Sequence, residues 1–102
     1  MPDPRIFPIT ACNDTFGTAT GVSGVILAEN LRRVDCDFVN DSEYVVYLGR
    51  GNAAVVGSGI RLNAGGGSYR IATDNMWYGT ITAIIDEAQE TANITISEGY
   101  LP

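Results

Sequence analysis

The sequence contains no histidine and no lysine, so all six of its basic side chains are arginines. Without histidine, a zinc site of the usual His/Cys kind and a Cys–His nucleophile are both excluded. Acid–base catalysis would then fall mainly to carboxylates. We therefore expect a protein that binds or assembles, not an enzyme, and we assign no cofactor and no catalytic, cofactor-binding or metal-ligating residue.

Positive charge is scarce: 12 acidic residues against six arginines give a net charge of −6 at pH 7. Binding to nucleic-acid phosphates needs a basic stripe. The nearest approach to one is the pair Arg32 and Arg33, and Asp35 and Asp37 follow at once. We expect no nucleic-acid partner, and we interpret the acidic charge as a source of solubility or as a match for a basic partner.

Long apolar runs are also missing, since none approaches the roughly 18 residues that span a bilayer. The start, Met1-Pro-Asp-Pro, lacks the basic and apolar regions of a secretory signal. We expect synthesis in a cytoplasm without export by the usual route, and no membrane partner.

The chain has two cysteines, Cys12 and Cys36, which are far apart and form no CxxC motif. Cys36 lies on the apolar side of an alternating segment, which predicts that it packs as a small hydrophobe. A Cys12–Cys36 disulfide stays open as an alternative if the protein meets an oxidising medium.

Period-two alternation is the main positive signal. In residues 33–40, Val34, Cys36 and Phe38 share one face and aspartates occupy the other, which predicts a half-buried strand. Residues 43–48 are apolar on both faces, which is typical of a central strand. Further short strands are predicted at residues 53–56, 60–62, 68–72, 77–85 and 91–97. With turn signals between them and no long helical stripe, they predict an all-β antiparallel sandwich or barrel, immunoglobulin-like or jelly-roll-like.

A chain of 102 residues and 10.9 kDa holds one domain. Its first 30 residues differ from the rest, with three early prolines and a run of small and polar residues at 15–24. We predict an extended N-terminal arm over residues 1–30, with strands at 5–11 and 25–28, and a β-sandwich domain over residues 31–102. Such an arm is ordered by packing on the domain or on a neighbour.

Two groups of carboxylates are candidate sites. Asp35 and Asp37 project side by side from one strand face, as in a Ca²⁺ ligand pair or a glycosidase carboxylate pair. We prefer the interpretation that they form a solvated face that discourages edge-to-edge aggregation. Asp86, Glu87 and Glu90 are likewise interpreted as a solvated turn and not as a metal site.

The remaining polar motifs do not indicate chemistry. The glycine cluster 65–67 lacks the lysine of a phosphate-binding loop and predicts a hairpin loop. No base partner is evident for the three serines considered as nucleophiles, which are Ser23, Ser58 and Ser68. Three Asn-x-Ser/Thr triplets are interpreted as turn and strand residues and not as glycan sites, and they begin at Asn13, Asn40 and Asn93.

The aromatic side chains leave two interpretations open. They are Trp77, Tyr44, Tyr47, Tyr69, Tyr78 and Tyr100. Packing in the core is the commoner fate of such residues in a small β domain, and we favour it. The alternative is an aromatic surface that binds a sugar or a protein.

One pattern goes beyond a generic β domain. It consists of the segments RVDCDFVN (33–40), VYLG (46–49), GIRL (59–62), AGGGSY (64–69), GTITAI (79–84) and NITISEG (93–99). Over roughly residues 30–99 the chain resembles a group of small phage and prophage structural proteins, which place a Gly-Ile-x-Leu…Gly-Gly-Ser-Tyr hairpin before their last strands and finish near Glu-Gly.

The resemblance implies a virion component made in the host cytoplasm, and it carries over no catalytic residue. We expect a capsid decoration (cement) protein whose partner is the major capsid protein or another virion protein. We also expect a homo-oligomer, because a small β domain gains stability by burying an edge or an apolar patch against a neighbour. The alternatives are a tail, baseplate or fibre accessory protein and a carbohydrate-binding β-module.

Overall fold

In a computed structural model of the chain, residues 11–101 are described, and they form eight β-strands and no helix. The strands are β1 (Ala11–Ala19), β2 (Gly24–Leu27), β3 (Arg33–Asn40), β4 (Val46–Arg50), β5 (Ile60–Leu62), β6 (Ser68–Ile71), β7 (Ile81–Ile85) and β8 (Ala92–Tyr100). The bounds of β3 are those that the alternating pattern predicts. The strand predicted at residues 43–48 is central, as expected, but it runs from Val46 to Arg50.

The strands form two antiparallel four-stranded sheets with the orders β1-β8-β3-β6 and β2-β7-β4-β5. We call them the first sheet and the second sheet. The chain passes between the sheets at almost every connection, and only β4 and β5 are consecutive strands of one sheet. This is the strand order of an eight-stranded jelly roll. The prediction of a small all-β antiparallel sandwich is confirmed, and the strand order is that of its jelly-roll form.

The core lies between the two sheets and is almost entirely aliphatic. Alternate residues of each strand point inward, as the period of a strand requires. The largest apolar side chains that are fully buried are Phe38, Ile71, Ile94 and Ile96 from the first sheet and Leu48, Leu62, Ile81 and Ile85 from the second. Cys36 lies among them with no exposed surface, which confirms that it packs as a small hydrophobe.

The N-terminal part of the described chain belongs to the sandwich. β1 pairs with β8 from Ala11 opposite Tyr100 to Ala19 opposite Ala92, and β2 pairs with β7. Within residues 11–101 the sandwich therefore begins at residue 11, not at residue 31. Most β1 side chains are exposed, so main-chain hydrogen bonds hold the strand in the sheet. The sequence of β1 therefore lacks the alternation of apolar residues that would predict a strand. The strand predicted at residues 5–11 lies outside the described residues except for Ala11.

Two connections also differ from the sequence prediction. Residues 53–56, predicted as a strand, belong to the loop between β4 and β5. The glycine cluster 65–67 is a turn, but it leads from β5 in one sheet to β6 in the other and is not a hairpin. Gly65 and Gly66 have φ of 71° and 119°, values that favour glycine. The buried Asn40 amide anchors this crossover by donating hydrogen bonds to the carbonyls of Leu62 and Asn63.

Candidate protein-binding surface

Three segments without charge come together on the second sheet. Residues 15–28, 51–60 and 75–85 are the longest stretches of the sequence that contain no Asp, Glu or Arg. They include β2, the loop between β4 and β5, and β7. β2 pairs with β7, and the loop lies on the outward face of their sheet. A chain with a net charge of −6 thus brings three stretches without charged side chains together in the described structure.

Hydrogen bonds hold the β4–β5 loop onto the sheet. The hydroxyl of Thr82 donates to the carbonyl of Asn52 at 2.6 Å, and the amide of Ala54 donates to the hydroxyl of Ser23 at 2.8 Å. Gly49 makes this contact possible, since a Cβ there would lie 2.6 Å from the Thr82 hydroxyl and 2.9 Å from the Asn52 carbonyl. The loop is therefore a fixed part of the surface.

The loop brings together four exposed valines, which we call the valine surface. Val22 and Val25 flank Ser23, and Val55 and Val56 follow Ala54, so the Ser23–Ala54 hydrogen bond brings the two pairs close. Their exposed fractions are 75% for Val22, 62% for Val25, 58% for Val55 and 37% for Val56. Contiguous exposed apolar residues of this kind mark protein–protein contacts.

The same sheet face also has an acidic region. A cleft of about 310 Å³, which we call the acidic cleft, is lined by Glu43, Tyr44, Val45, Tyr47, Asp86 and Glu87. Tyr47 lies opposite Ile84. The outward positions of β7 are Thr82 and Ile84, and Asp86 follows directly after the strand. The outward face of the second sheet therefore changes from apolar to acidic over one strand.

The environment of the acidic cleft changes the pKa of Tyr44, which lines it. Desolvation, followed by the carboxylates of Glu90 and Glu43, raises the pKa of Tyr44 above its usual value. Desolvation disfavours any charge, whereas the two carboxylates disfavour a negative phenolate and favour a positive group. The cleft thus suits an arginine or lysine side chain, which can pair with the carboxylates and lie against a tyrosine ring.

A second hollow, of about 430 Å³, lies between β4, β5 and the loop. Its lining includes Gly49, Asn52, Ala54 and Gly59, with Arg50 as its one charged member. Backbone and small side chains dominate this lining, so it offers little that would select a particular ligand.

Asp35 and Asp37 share a partner that the sequence did not indicate. Arg70 on β6 bonds to Asp37 at 2.7 Å and to Asp35 at 3.2 Å, and its side chain is largely exposed. Asp35 also accepts a hydrogen bond from the amide of Gly99. The two aspartates are thus part of a cross-strand ion pair on the outward face of the first sheet. Residues 11–101 contain no group of three or more His, Cys, Asp or Glu that could hold a metal ion.

The other predicted candidates are dispersed. Asp86 and Glu87 line the acidic cleft, and Glu90 closes the following turn by donating its amide to the Glu87 carbonyl. The serines lie apart: Ser23 supports the loop, Ser58 lines the second hollow and Ser68 is exposed on β6. Among the triplet asparagines, Asn13 is exposed on β1, Asn93 is half-buried on β8 and Asn40 is fully buried.

The aromatic side chains divide between packing and surface. Trp77 is half-buried, its indole N–H donates to the Thr80 carbonyl at 3.0 Å, and its ring packs against Gly51 and Gly79. Tyr69 stacks on Phe38 with ring centroids 6.3 Å apart. Trp77, Tyr69 and Tyr44 thus pack against the core. Tyr44 also lines the acidic cleft, together with Tyr47.

Arg33, one of the two adjacent arginines considered above as the nearest approach to a basic stripe, is tightly constrained. Arg33 is fully buried and bonds to the Glu98 carboxylate at 2.6 Å. Its guanidinium also donates to the carbonyls of Ala28, Trp77 and Gly79. Strict alternation puts Arg33 on the face of Asp35 and Asp37. A register shift against β8 between Arg33 and Asp35 turns it inward, as a β-bulge does.

Both cysteines are free, so the alternative of a Cys12–Cys36 disulfide is not realised. Cys12 is exposed on β1 and Cys36 is buried on β3. Desolvation and the nearby Glu98 carboxylate raise the pKa of Cys36 to about 12.

Comparison with protein families, curated proteins and solved structures gives no match to this chain. In the part of the chain described by the structure, no helix has the length and apolar character needed to cross a membrane.

Proposed function

We propose that this chain is a non-enzymatic virion structural protein that decorates a phage capsid by binding the major capsid protein or another protein of the particle surface. The observation that carries the proposal is the acidic cleft on the outward face of the second sheet. Its carboxylates and its two tyrosines are the groups that bind a basic side chain of another protein. The resemblance of residues 30–99 to phage structural proteins supports the same class.

The cleft is suited to a stable attachment because strand pairing holds one of its tyrosines in place. Tyr47 stands on the central strand β4, paired with Ile84 on β7 and with Arg61 on β5. A preformed site binds without the entropy cost of ordering its own side chains and loops. Attraction between an acidic site and a basic partner also speeds the encounter and weakens as salt is added.

Co-sedimentation with purified particles that lack the protein tests this proposal. The wild-type chain should sediment with the particles, and the double substitution Glu43→Gln and Glu87→Gln should weaken attachment by about tenfold or more. A matched control, Glu29→Gln with Asp74→Asn, makes the same change in net charge at exposed positions outside the cleft. It should bind as the wild type does.

Each arm of this experiment has an outcome that counts against the proposal. Failure of the wild-type chain to bind particles at low salt would contradict the virion function. Equal weakening by the control pair would mean that overall charge, and not the acidic cleft, governs attachment. Electron microscopy of decorated particles separates a capsid location from a tail, baseplate or fibre location.

A carbohydrate-binding module is the second candidate, and Tyr44 and Tyr47 beside carboxylates are the observation that favours it. Aromatic rings and carboxylates also bind sugars, by stacking and by accepting hydrogen bonds. Trp77 is unsuited to this role because its indole N–H already bonds to Thr80. Its fluorescence should be blue-shifted and insensitive to glycans. Glycan binding that is lost in Tyr47→Ala would favour this candidate over capsid binding.

A further inference from the structure

The valine surface differs from the acidic cleft in the partner that it can accept. Each chain carries a net charge of −6, so two copies repel wherever their acidic faces approach. That repulsion is weakest where neither copy carries charge. Residues 15–28 and 51–60 contain no charged side chain, and they supply all four valines.

The valine surface is also complementary to itself. In a contact about a two-fold axis, the same patch of both partners forms the interface. The side chains of the patch must therefore pack favourably against side chains of the same patch. Valines meet this condition because an apolar side chain packs well against another. A basic virion protein, in contrast, would find no opposite charge on the valines themselves and would be attracted to the carboxylates of the acidic cleft.

Hydrogen bonds within the chain hold the loop that carries half of the valine surface. Three hydrogen bonds hold the β4–β5 loop: Thr82 to Asn52, Ala54 to Ser23, and the Gly51 amide to the Thr80 carbonyl. Val55 and Val56 are thus presented next to Val22 and Val25 at little additional ordering cost. The free energy gained by burying apolar area then favours association and is not offset by the entropy cost of ordering the loop.

We propose that the valine surface is the site at which a second copy of this chain binds, forming a two-fold symmetric dimer. The dimer contact uses side chains other than those that line the acidic cleft, so the dimer does not depend on particle binding. Salt distinguishes the two contacts: screening weakens the attraction of the acidic cleft for a basic partner, but it strengthens the association of two chains of like charge.

Analytical ultracentrifugation of the full chain, without particles, tests the proposal across a wide range of protein concentration. The wild type should dimerise, and more tightly as sodium chloride is raised. Val25→Asp and Val55→Asp, made separately, should each weaken the dimer by at least about tenfold, since each brings like charges together across the contact. Ser68→Asp adds the same charge at an exposed position of the first sheet and should dimerise as the wild type does.

Val25→Ser provides a charge-free version of the test in case an aspartate variant fails to fold, and it should weaken the dimer several-fold. A wild-type chain that stays monomeric at every concentration would overturn the proposal. So would valine variants that dimerise normally. If Val25→Asp left the dimer intact but abolished sedimentation with particles, the valine surface would face the capsid, and the dimer proposal would be wrong while the virion function stood.

Discussion

Arg33 and Arg32 are neighbours in the chain with opposite environments. Arg32 is exposed, whereas Arg33 is enclosed between β3, β8 and the loops that contain Ala28 and Trp77. Burial of an arginine is tolerated only when its charge is paired and its N–H groups have acceptors. Glu98 supplies the charge, and three carbonyls accept the other hydrogen bonds.

Substitution should separate these two arginines sharply. Arg33→Met leaves Glu98 buried without its partner and should destabilise the protein by about 3–5 kcal/mol. Arg32→Met, the matched control, should change the free energy of unfolding by less than about 0.5 kcal/mol. Urea denaturation followed by circular dichroism measures both. Similar effects from the two substitutions would mean that the buried Arg33–Glu98 pair does not stabilise the fold.

Cys36 should make the protein less stable at alkaline pH. Its thiol has a pKa of about 12 in the folded chain, against 9.0 for an ordinary cysteine. Above pH 9 the unfolded chain therefore binds fewer protons than the folded chain. Stability should fall as pH rises through this window, by up to about 1.4 kcal/mol per pH unit from this group.

Melting temperatures measured from about pH 8 to about pH 10.5 test this linkage. The wild type should lose more stability over this range than Cys36→Ala, whatever the difference between them at neutral pH. Cys12→Ala is the control because Cys12 is exposed, and it should follow the wild-type pH dependence. Parallel curves for wild type and Cys36→Ala would contradict the elevated pKa.

Among the elements, β1 belongs to the fold although few of its side chains belong to the core. Its nine residues are in register with β8 over the full length of β1. Only its C-terminal end contributes buried positions, at Gly17 and Ala19. Gly17 lies against Ile26, and a Cβ there would come within 2.7 Å of that side chain. β1 therefore covers β8 on one edge and touches β2 across the sandwich.

Removal of residues 1–24 should accordingly disrupt the domain. The deletion takes away β1 and the Ser23 hydroxyl, and it exposes the long edge of β8 to pairing with other chains. We expect the truncated chain to aggregate or to lose its cooperative melting transition. A chain that begins at residue 11 retains all eight described strands and serves as the control. If the shorter chain were soluble, monomeric and as stable as this control, β1 would be dispensable to the fold.

At the scale of the whole molecule, one sheet face carries two regions of different chemistry. The valine surface and the acidic cleft are both on the outward side of the second sheet and are joined by Tyr47 and Ile84. The first sheet presents a mixed polar surface instead, with Arg70 bridging Asp35 and Asp37. Such an arrangement allows two contacts of different chemistry at once, one apolar and one electrostatic.

Local pattern determined the fold class and much of the core. Alternation along β3 predicts its bounds and its buried residues from Val34 onward, because successive side chains of a regularly paired strand point to opposite faces. The apolar run before Leu48 likewise predicts a central strand. The exposed turn at Asp86 and Glu87 and the burial of Cys36 follow from the same local reasoning.

Tertiary structure alone decided the features that depend on partners distant in sequence. A bulge in the pairing with β8 turns the Arg33 side chain from the outward to the inward face of β3 and buries it. No residue near Arg33 in the sequence indicates this bulge. β1 joins the sheet through main-chain hydrogen bonds to β8, for which side-chain alternation is not required. The jelly-roll strand order then brings three charge-free segments together, because pairing between distant strands, and not their own composition, determines which stretches become neighbours.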